Sequence, residues 1–179
     1  VDSVKQALDI KDSVRVATTA DLSATYNNGT GGDGATLTAD ANGAVNIDST
    51  ALSLNDRVLV KDQSTGTENG IYKVTTVGDV SNPYVLTRTD DANSSADVTG
   101  GLFCFVEEGT AGDNGFVLTN ITGSASLGSD SLVFTQFSGA GQVTAGAGLA
   151  KSGNTLSVNV DDTTIEINSD TLRLKGLGS

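Results

Sequence analysis

Apolar and polar residues alternate with a period of two through most of the chain, from Ser13 onward. The apolar positions are rich in Val, Ile, Leu and aromatic residues, and Asn-Gly, Asp and Ser clusters separate the runs. Short alternating runs of this kind are typical of β-strands joined by tight turns. The pattern predicts strands at Val14–Ala17, Arg57–Lys61, Ile71–Thr76, Tyr84–Thr89, Gly101–Glu107, Phe116–Thr119 and Leu132–Phe137.

One predicted strand is apolar on both of its faces. Leu102, Cys104 and Val106 point one way along it, and Phe103 and Phe105 point the other. A half-exposed strand would place polar residues on one face, so we expect this strand to be covered on both sides. Cys104 is then a small core residue rather than a reactive thiol.

Residues 26–46 interrupt the alternation. The stretch is rich in Gly, and its large aliphatic residues are Leu37 and Val45. It matches neither a phosphate-binding loop, which needs a following Lys-Ser or Lys-Thr, nor a calcium loop, which needs a closing Glu. We expect a long, turn-rich loop carried outside the core.

The first residues follow a different period. Val1, Val4 and Leu8 are three and four residues apart, which is helical spacing and fits one seam of a heptad repeat. Because about ten residues are too few for a stable isolated helix, the segment is expected to be the end of a helix or coiled coil that continues upstream. A short surface helix packed on the domain is the alternative.

The end of the chain carries thin alternating strands. Residues 154–158 return in similar form sixteen positions later, at residues 170–174, as a weak internal repeat. Seven large apolar side chains on such strands cannot close a core within one chain, and their unpaired edges require partners. Copies of the same segment around a symmetry axis would supply them. The strands carry Leu156, Val158 and Val160, then Ile165 and Ile167, then Leu172 and Leu174.

These patterns predict an all-β fold, a compact antiparallel sandwich or barrel with a short N-terminal helix and an extended, intertwined C-terminal β segment. The predicted boundaries are 1–12 for the helical or coiled-coil end, 13–139 for the β-domain and 140–179 for the β segment, which is expected to form an oligomer. Because the sequence holds no Met, we expect it to be part of a longer protein.

The charge balance excludes several classes of function. Ten basic and 22 acidic residues give a net charge of −12, which repels nucleic acids and anionic membrane surfaces. The sequence holds no His, which removes Ser-His-Asp and Cys-His catalysis and His-ligated metals, and a single Cys excludes a disulfide within the chain. No apolar run is long enough for a membrane span. We therefore expect no cofactor, no metal, no nucleic acid and no membrane insertion.

The abundant carboxylates do not predict an enzyme. Glu107 and Glu108 are adjacent at a strand end, so their side chains point to opposite faces. The pairs at 90–91 and 161–162 fall in predicted turns, where Asp commonly caps backbone amides. Ser and Thr have no His to activate them. We expect no catalytic residue.

Aromatic residues beside turns are the candidates for ligand binding. Sugar sites favour exposed aromatic rings next to amide and acid groups. The sequence holds no Trp, and its five Phe fall on predicted strands, where packing is the simpler role. The candidate receptor-binding residues are therefore those flanking two turns: Tyr26, Asn27, Asn28 and Tyr84.

Several motifs resemble, in the same order, a module that recurs in bacteriophage tail-fibre proteins. The tail AGAGLAKSGNTLSVNVDD also resembles the glycine-punctuated β segments that follow this module in phage fibres. The sequence departs from the family pattern at Asn46–Asn55, where a compact Asp-Gly turn is usual. The matching runs are KDSVRVATTA (Lys11–Ala20), DRVLVKDQ (Asp56–Gln63), ENGIY (Glu68–Tyr72), FVEEGT (Phe105–Thr110) and LVFTQFSGAGQ (Leu132–Gln142).

The resemblance implies a virion structural role and a homotrimer, and it carries over no catalytic residue. The expected function is a segment of a trimeric tail fibre or adhesin in host attachment, partnered by itself, by other fibre or virion proteins and by a host surface glycan or protein. The alternative is an architectural spacer or decoration module without receptor contact; a polysaccharide depolymerase comes last. The expected trimer interface consists of Val1, Val4, Leu8, Leu156, Val158, Val160, Ile165, Ile167, Leu172 and Leu174.

Overall fold

The regular structure of the chain is almost entirely β. The computed structural model describes residues 9–137, 144–152, 155–160, 165–169 and 171–174. Within them, sixteen strands are joined by loops and two single-turn 3-10 helices, Gly66–Glu68 and Asp90–Ala92. The predicted all-β class is confirmed. The chain divides into two compact units, Val1–Phe137 and Ser138–Ser179.

Twelve strands lie in the described part of the first unit. They alternate with turns in which glycine often has a positive φ, as at Gly29, Gly78 and Gly109. The strands are β1 (Asp9–Ile10), β2 (Val16–Ala17), β3 (Ala24–Asn27), β4 (Thr36–Ala39), β5 (Asn46–Ile47), β6 (Thr50–Ala51), β7 (Arg57–Val60), β8 (Gly70–Thr76), β9 (Val85–Arg88), β10 (Leu102–Val106), β11 (Asn114–Leu118) and β12 (Phe134–Gln136).

Two sheets organise these strands. The larger has the order β2-β7-β8-β9-β4-β3, and all its neighbours are antiparallel except the edge pair β2 and β7. The smaller has the order β1-β10-β11-β12, again antiparallel except for its edge strand β1, which runs parallel to β10. Strands β5 and β6 form a separate hairpin.

The main core lies between the two sheets. The six-stranded sheet contributes Leu59 and Ile71, and the four-stranded sheet contributes Cys104, Phe116 and Leu118. All of these side chains are buried. One continuous apolar cluster therefore holds the two sheets together.

A second core covers the opposite face of the six-stranded sheet. Val58 and Val60 point into it from β7, whereas Leu59 between them points into the main core. Ile47 and Leu52, from the β5–β6 hairpin and the residue after it, cover this face. Burial on both faces explains why β7 is apolar at three consecutive positions.

The N-terminal helix predicted over residues 1–12 is not supported. Residues 1–8, with Val1, Val4 and Leu8, lie outside the described residues. Asp9–Ile10 is a β-strand, because its backbone pairs with β10: the Asp9 amide donates to the Gly101 carbonyl at 3.2 Å and the Lys11 amide to the Phe103 carbonyl at 2.8 Å.

The prediction of a loop outside the core over residues 26–46 is wrong. Strands β3 and β4 form a hairpin within this region, and β4 pairs with β9, which extends the six-stranded sheet. Leu37 and Val45 are both buried in the second core. Ala35 and Ala39 are buried as well, and the pairing of β4 with β9 adds backbone hydrogen bonds, so the segment is part of the sheet although its composition favours turns.

Strand β10 is covered on one face only. Leu102, Cys104 and Val106 are buried, as expected, but Phe105 is 40% exposed and Phe103 is half-buried. The expectation that both faces are covered is therefore wrong for this single chain.

Burial determines the chemistry of the lone thiol. Cys104 lies in the main core, and desolvation raises its pKa to about 12, more than the positive charge of Arg57 lowers it. We predict that a maleimide labels the native chain at pH 8 only as fast as the protein opens, because the thiolate form is scarce and inaccessible.

A matched variant tests the labelling result. In a Cys104→Ala background, Val80→Cys places the thiol on a side chain that is 94% exposed, so it should react at the rate of a free thiol. Equal labelling rates for Cys104 and this control, measured by mass spectrometry, would contradict the core placement.

Candidate functional site

Two hairpins form the described part of the second unit. They comprise β13 (Leu149–Ser152) with β14 (Thr155–Val158), and β15 (Ile165–Asn168) with β16 (Thr171–Leu174). Their registers match, since Leu149 pairs with Val158 and Ile165 with Leu174. Both strands of the first hairpin recur sixteen positions later, so the weak sequence repeat corresponds to a repeated hairpin.

The apolar side chains of these hairpins face solvent in the single chain. Leu149, Leu156, Val158, Ile167 and Leu172 are exposed, and Leu174 is 80% exposed. Val160 is half-buried, and for Ile165 only the backbone is described. Five of the seven tail residues expected at a trimer interface are therefore 39–80% exposed in the single chain.

Leaving these apolar side chains in water costs free energy, and a two-stranded sheet has no apolar core of its own in which to bury them. Fully burying a Leu or Val side chain stabilises a structure by roughly 1.5–3 kcal/mol. A two-stranded ribbon is marginal alone, whereas three or more strands with an apolar face can be stable. The arrangement is chemically suited to packing against other apolar strands.

The predicted receptor residues of the first unit are largely engaged inside the fold. The Tyr26 hydroxyl, at the end of β3, donates to the Asn28 side-chain oxygen at 2.6 Å, and its ring packs on the second core. The side-chain amide of Asn28 donates to the Leu127 carbonyl at 3.4 Å. Asn27 is exposed, and its side-chain oxygen accepts the Gly29 amide at 2.9 Å in a local turn.

Tyr84 has a structural environment too. Its ring is half-buried against the second core, and burial raises the pKa of its hydroxyl, with a smaller contribution from Asp40. It is far in the chain from Tyr26, and no described contact joins the two side chains. Both rings pack against the second core.

A buried arginine organises the region around Tyr26. Arg88, on β9, is 1% exposed, and both of its terminal nitrogens donate to the Asn69 carbonyl at 3.2 Å. One of them also donates to the hydroxyls of Tyr72 at 3.0 Å and Tyr26 at 3.4 Å. The guanidinium lies 4.9 Å from the centre of the Tyr72 ring.

This cation is held by neutral groups. Among the described residues, no carboxylate forms an ion pair with Arg88, and its Nε has no hydrogen-bond partner. A Cβ at Gly70 would overlap the guanidinium, so a larger residue there would have to displace the Arg88 side chain. Arg88 was not among the predicted site residues, although its position two residues after the buried Leu86 places it on the same, inward face of the strand.

The carboxylate pairs considered for catalysis have separate structural partners. Glu107 accepts a hydrogen bond from the Ser13 hydroxyl, while Glu108 pairs with Arg15 at 3.1 Å. Asp90 pairs with Lys73 at 3.1 Å. The pair at 161–162 lies outside the described residues.

Asp91 has the best-defined ion pair. Both of its oxygens accept from Arg57, at 3.1 and 2.8 Å. Arg57 also donates to the backbone carbonyls of Asp12 at 3.2 Å and Ser13 at 3.1 Å. This guanidinium therefore connects the six-stranded sheet to the segment between β1 and β2.

In the described part of the chain, no group of three potential metal ligands lies together. The same residues include no helix long and apolar enough to cross a membrane. Comparison of the chain with protein-family models, with curated proteins and with solved structures finds no match.

The Asp91–Arg57 pair predicts a pH-dependent stability. Burial alone would raise the pKa of Asp91, but the hydrogen bonds from Arg57 and Thr89 and the guanidinium charge outweigh it and lower the pKa. A lowered folded pKa stabilises the protein above the unfolded value of about 3.9, and this contribution is lost as the pH falls through the folded value.

Asp91→Asn should therefore lower the melting temperature at pH 7, and the difference from wild type should shrink below about pH 4. Asp90→Asn is the matched control, since the Asp90 side chain is largely exposed and its ion pair among the described residues is with Lys73. Melting curves at several pH values provide the measurement. A difference between Asp91→Asn and wild type that is constant with pH would show that the ion pair is not its source.

Proposed function

We propose that the chain is a structural segment of a homotrimeric phage tail fibre or adhesin, located on the virion and involved in attachment to the host cell surface. The observation that carries this proposal is the uncovered apolar surface of the two tail hairpins, which a single chain leaves in water. Strands from other copies would cover it. The motifs that resemble the phage fibre module support the same assignment.

The proposed trimer is formed in part by the tail, residues 140–179, whose strands intertwine or pack around a threefold axis. The β-domain of residues 13–139 is carried on that axis. Other fibre or virion proteins are the expected neighbours. Catalysis has no part in the proposal: attachment is by non-covalent binding to a host glycan or protein.

Repetition compensates for weak individual contacts in such an assembly. When one site of a trimer is bound, the others are held near the same surface at a high effective concentration. Avidity can then exceed the single-site affinity by roughly a hundredfold or more without any new contact. A compact β-domain presented in three copies fits this mode of attachment.

A purely architectural spacer is the second candidate, and a specific observation favours it. Tyr26 and Asn28, two of the candidate receptor residues, are hydrogen-bonded within the fold and contact the Arg88 network or Leu127. Groups already satisfied in this way have less to offer a ligand. Asn27 keeps an exposed side chain at the same turn.

The trimer is tested by a pair of adjacent substitutions. Light scattering after size exclusion should give three times the 18.1 kDa chain mass. Leu156→Asp should dissociate the trimer, because three carboxylates would replace three buried Leu side chains. Ser157→Asp adds the same charge on the opposite face of β14 and should have a much smaller effect.

A wild-type chain that is monomeric at micromolar concentration would refute the proposed trimer. Equal loss of the trimer in both variants would show that charge on the tail, rather than burial of Leu156, is what disrupts it.

Attachment and spacer roles are separated by binding. If the module is an adhesin, the labelled wild-type chain should bind to some members of a panel of bacterial cells and arrayed envelope polysaccharides. Asn27→Ala should weaken that binding, whereas Asn46→Ala, at an exposed position on β5, should leave it unchanged. Absence of binding by a folded trimer would favour the spacer role.

A further inference from the structure

The outer face of the four-stranded sheet is an ordered apolar surface. Its strand register places Ile10, Phe103, Val117 and Thr135 in one row across the sheet. The register also pairs Phe105 with Gly115 in the next row, and the Phe137 amide donates to the Gly115 carbonyl at 2.7 Å. Thr119 and Val133 belong to a third row, in which the Thr119 amide donates to the Val133 carbonyl at 3.1 Å. These three rows are called the outer face below.

The outer face is aromatic and open to solvent in the single chain. Phe137 and Ile10 are each 70% exposed, and Phe105 and Val133 are also exposed. Phe103 and Phe137 meet edge to face, with ring centres 6.2 Å apart. A Cβ at Gly115 would overlap the Phe103 ring, so the glycine gives this ring room to lie over the sheet.

The described residues of the three rows include no ionisable group, in a chain whose net charge is −12. Glu107, two positions after Phe105 on the same side of β10, is exposed at the border of the face. Two copies of so acidic a chain repel one another unless they meet through surfaces that carry no charge. Exposed patches that combine aromatic and aliphatic groups are typical of protein interfaces.

The direction of the edge strands indicates how copies would be arranged. β1 is parallel to β10, while β11 is antiparallel to both β10 and β12. Hence β1 and β12 run the same way: the chain enters the sheet at one end of its strands and leaves at the other. This arrangement is compatible with strands that run along the axis of a fibre.

We propose that three copies of the β-domain pack through this outer face, with Phe103, Phe105 and Phe137 turned toward the fibre axis. The occupant of the face is thus a second and a third copy of the same chain. The proposal rests on the trimeric fibre proposed above and adds to it an interface within the β-domain, separate from the tail hairpins. The exposed Asp and Glu side chains outside the face then remain in water.

Charge substitution tests this interface. In the full chain, Phe105→Asp should raise the protein concentration at the midpoint of trimer dissociation by about tenfold or more, since each copy loses a buried aromatic side chain and gains a charge. Val80→Asp is the matched control, because it adds the same charge at an exposed apolar position outside the outer face. Sedimentation equilibrium measures both midpoints.

Hydroxyl-radical footprinting of the wild-type chain gives a second measurement that does not depend on a variant folding. In the trimer, Phe105 and Phe137 should react slowly, at rates approaching that of Phe134, which packs against the main core from the same strand region. In monomers of the Leu156→Asp variant, both should react faster. Leu54, exposed and outside the face, should react alike in the two states.

The outcomes separate this inference from the proposed function. A wild-type trimer in which Phe105 and Phe137 stay reactive, and in which Phe105→Asp behaves like Val80→Asp, would overturn the interface and leave the trimeric fibre standing. A wild-type monomer would overturn both. A dimer would overturn the threefold arrangement, and protection that requires added envelope polysaccharide would overturn a second copy as the occupant.

Discussion

The fold depends on one sheet that is buried on both faces. The central strands of the six-stranded sheet have the four-stranded sheet on one side and the β5–β6 hairpin on the other. Their backbone groups are far from water, so they must be paired along the sheet. The β3–β4 hairpin, which lies in the glycine-rich segment, meets this requirement at one side of the sheet by pairing with β9. The short strand β2 meets it at the other side by pairing with β7.

Arg88 shows how such a sheet accommodates a cation. The carbonyl of Asn69 and the hydroxyls of Tyr26 and Tyr72 surround it with oxygens, and the Tyr72 ring provides a face for the guanidinium. Hydrogen bonds to a charged group contribute on the order of 1.5–3 kcal/mol each, which offsets part of the cost of desolvation. The network also joins β3 to β8 and β9, so the outlying hairpin is tied to the sheet by polar contacts as well as by Leu37.

Acidic and apolar side chains have different roles at the surface of the molecule. Several of the acidic side chains hold loops in place, as Asp91 does through Arg57 and Asp48 does by accepting the Thr110 amide and hydroxyl. Uncharged apolar groups are concentrated on the tail hairpins and on the outer face of the four-stranded sheet. In the proposed trimer the copies would associate through those two surfaces, since their acidic side chains repel each other elsewhere.

Local pattern was sufficient to predict the all-β class and most strands from β7 to β12, because a period of two requires only neighbouring residues. It also singled out the tail repeat and the buried Cys104. Pairing was decided by the tertiary structure: the parallel edges β1 and β2, the β3–β4 hairpin and the open face of β10 each depend on which distant strand lies alongside. Arg88 was missed for the same reason. Its carbonyl and hydroxyl partners are up to 62 positions away in the chain, and no local pattern contains them.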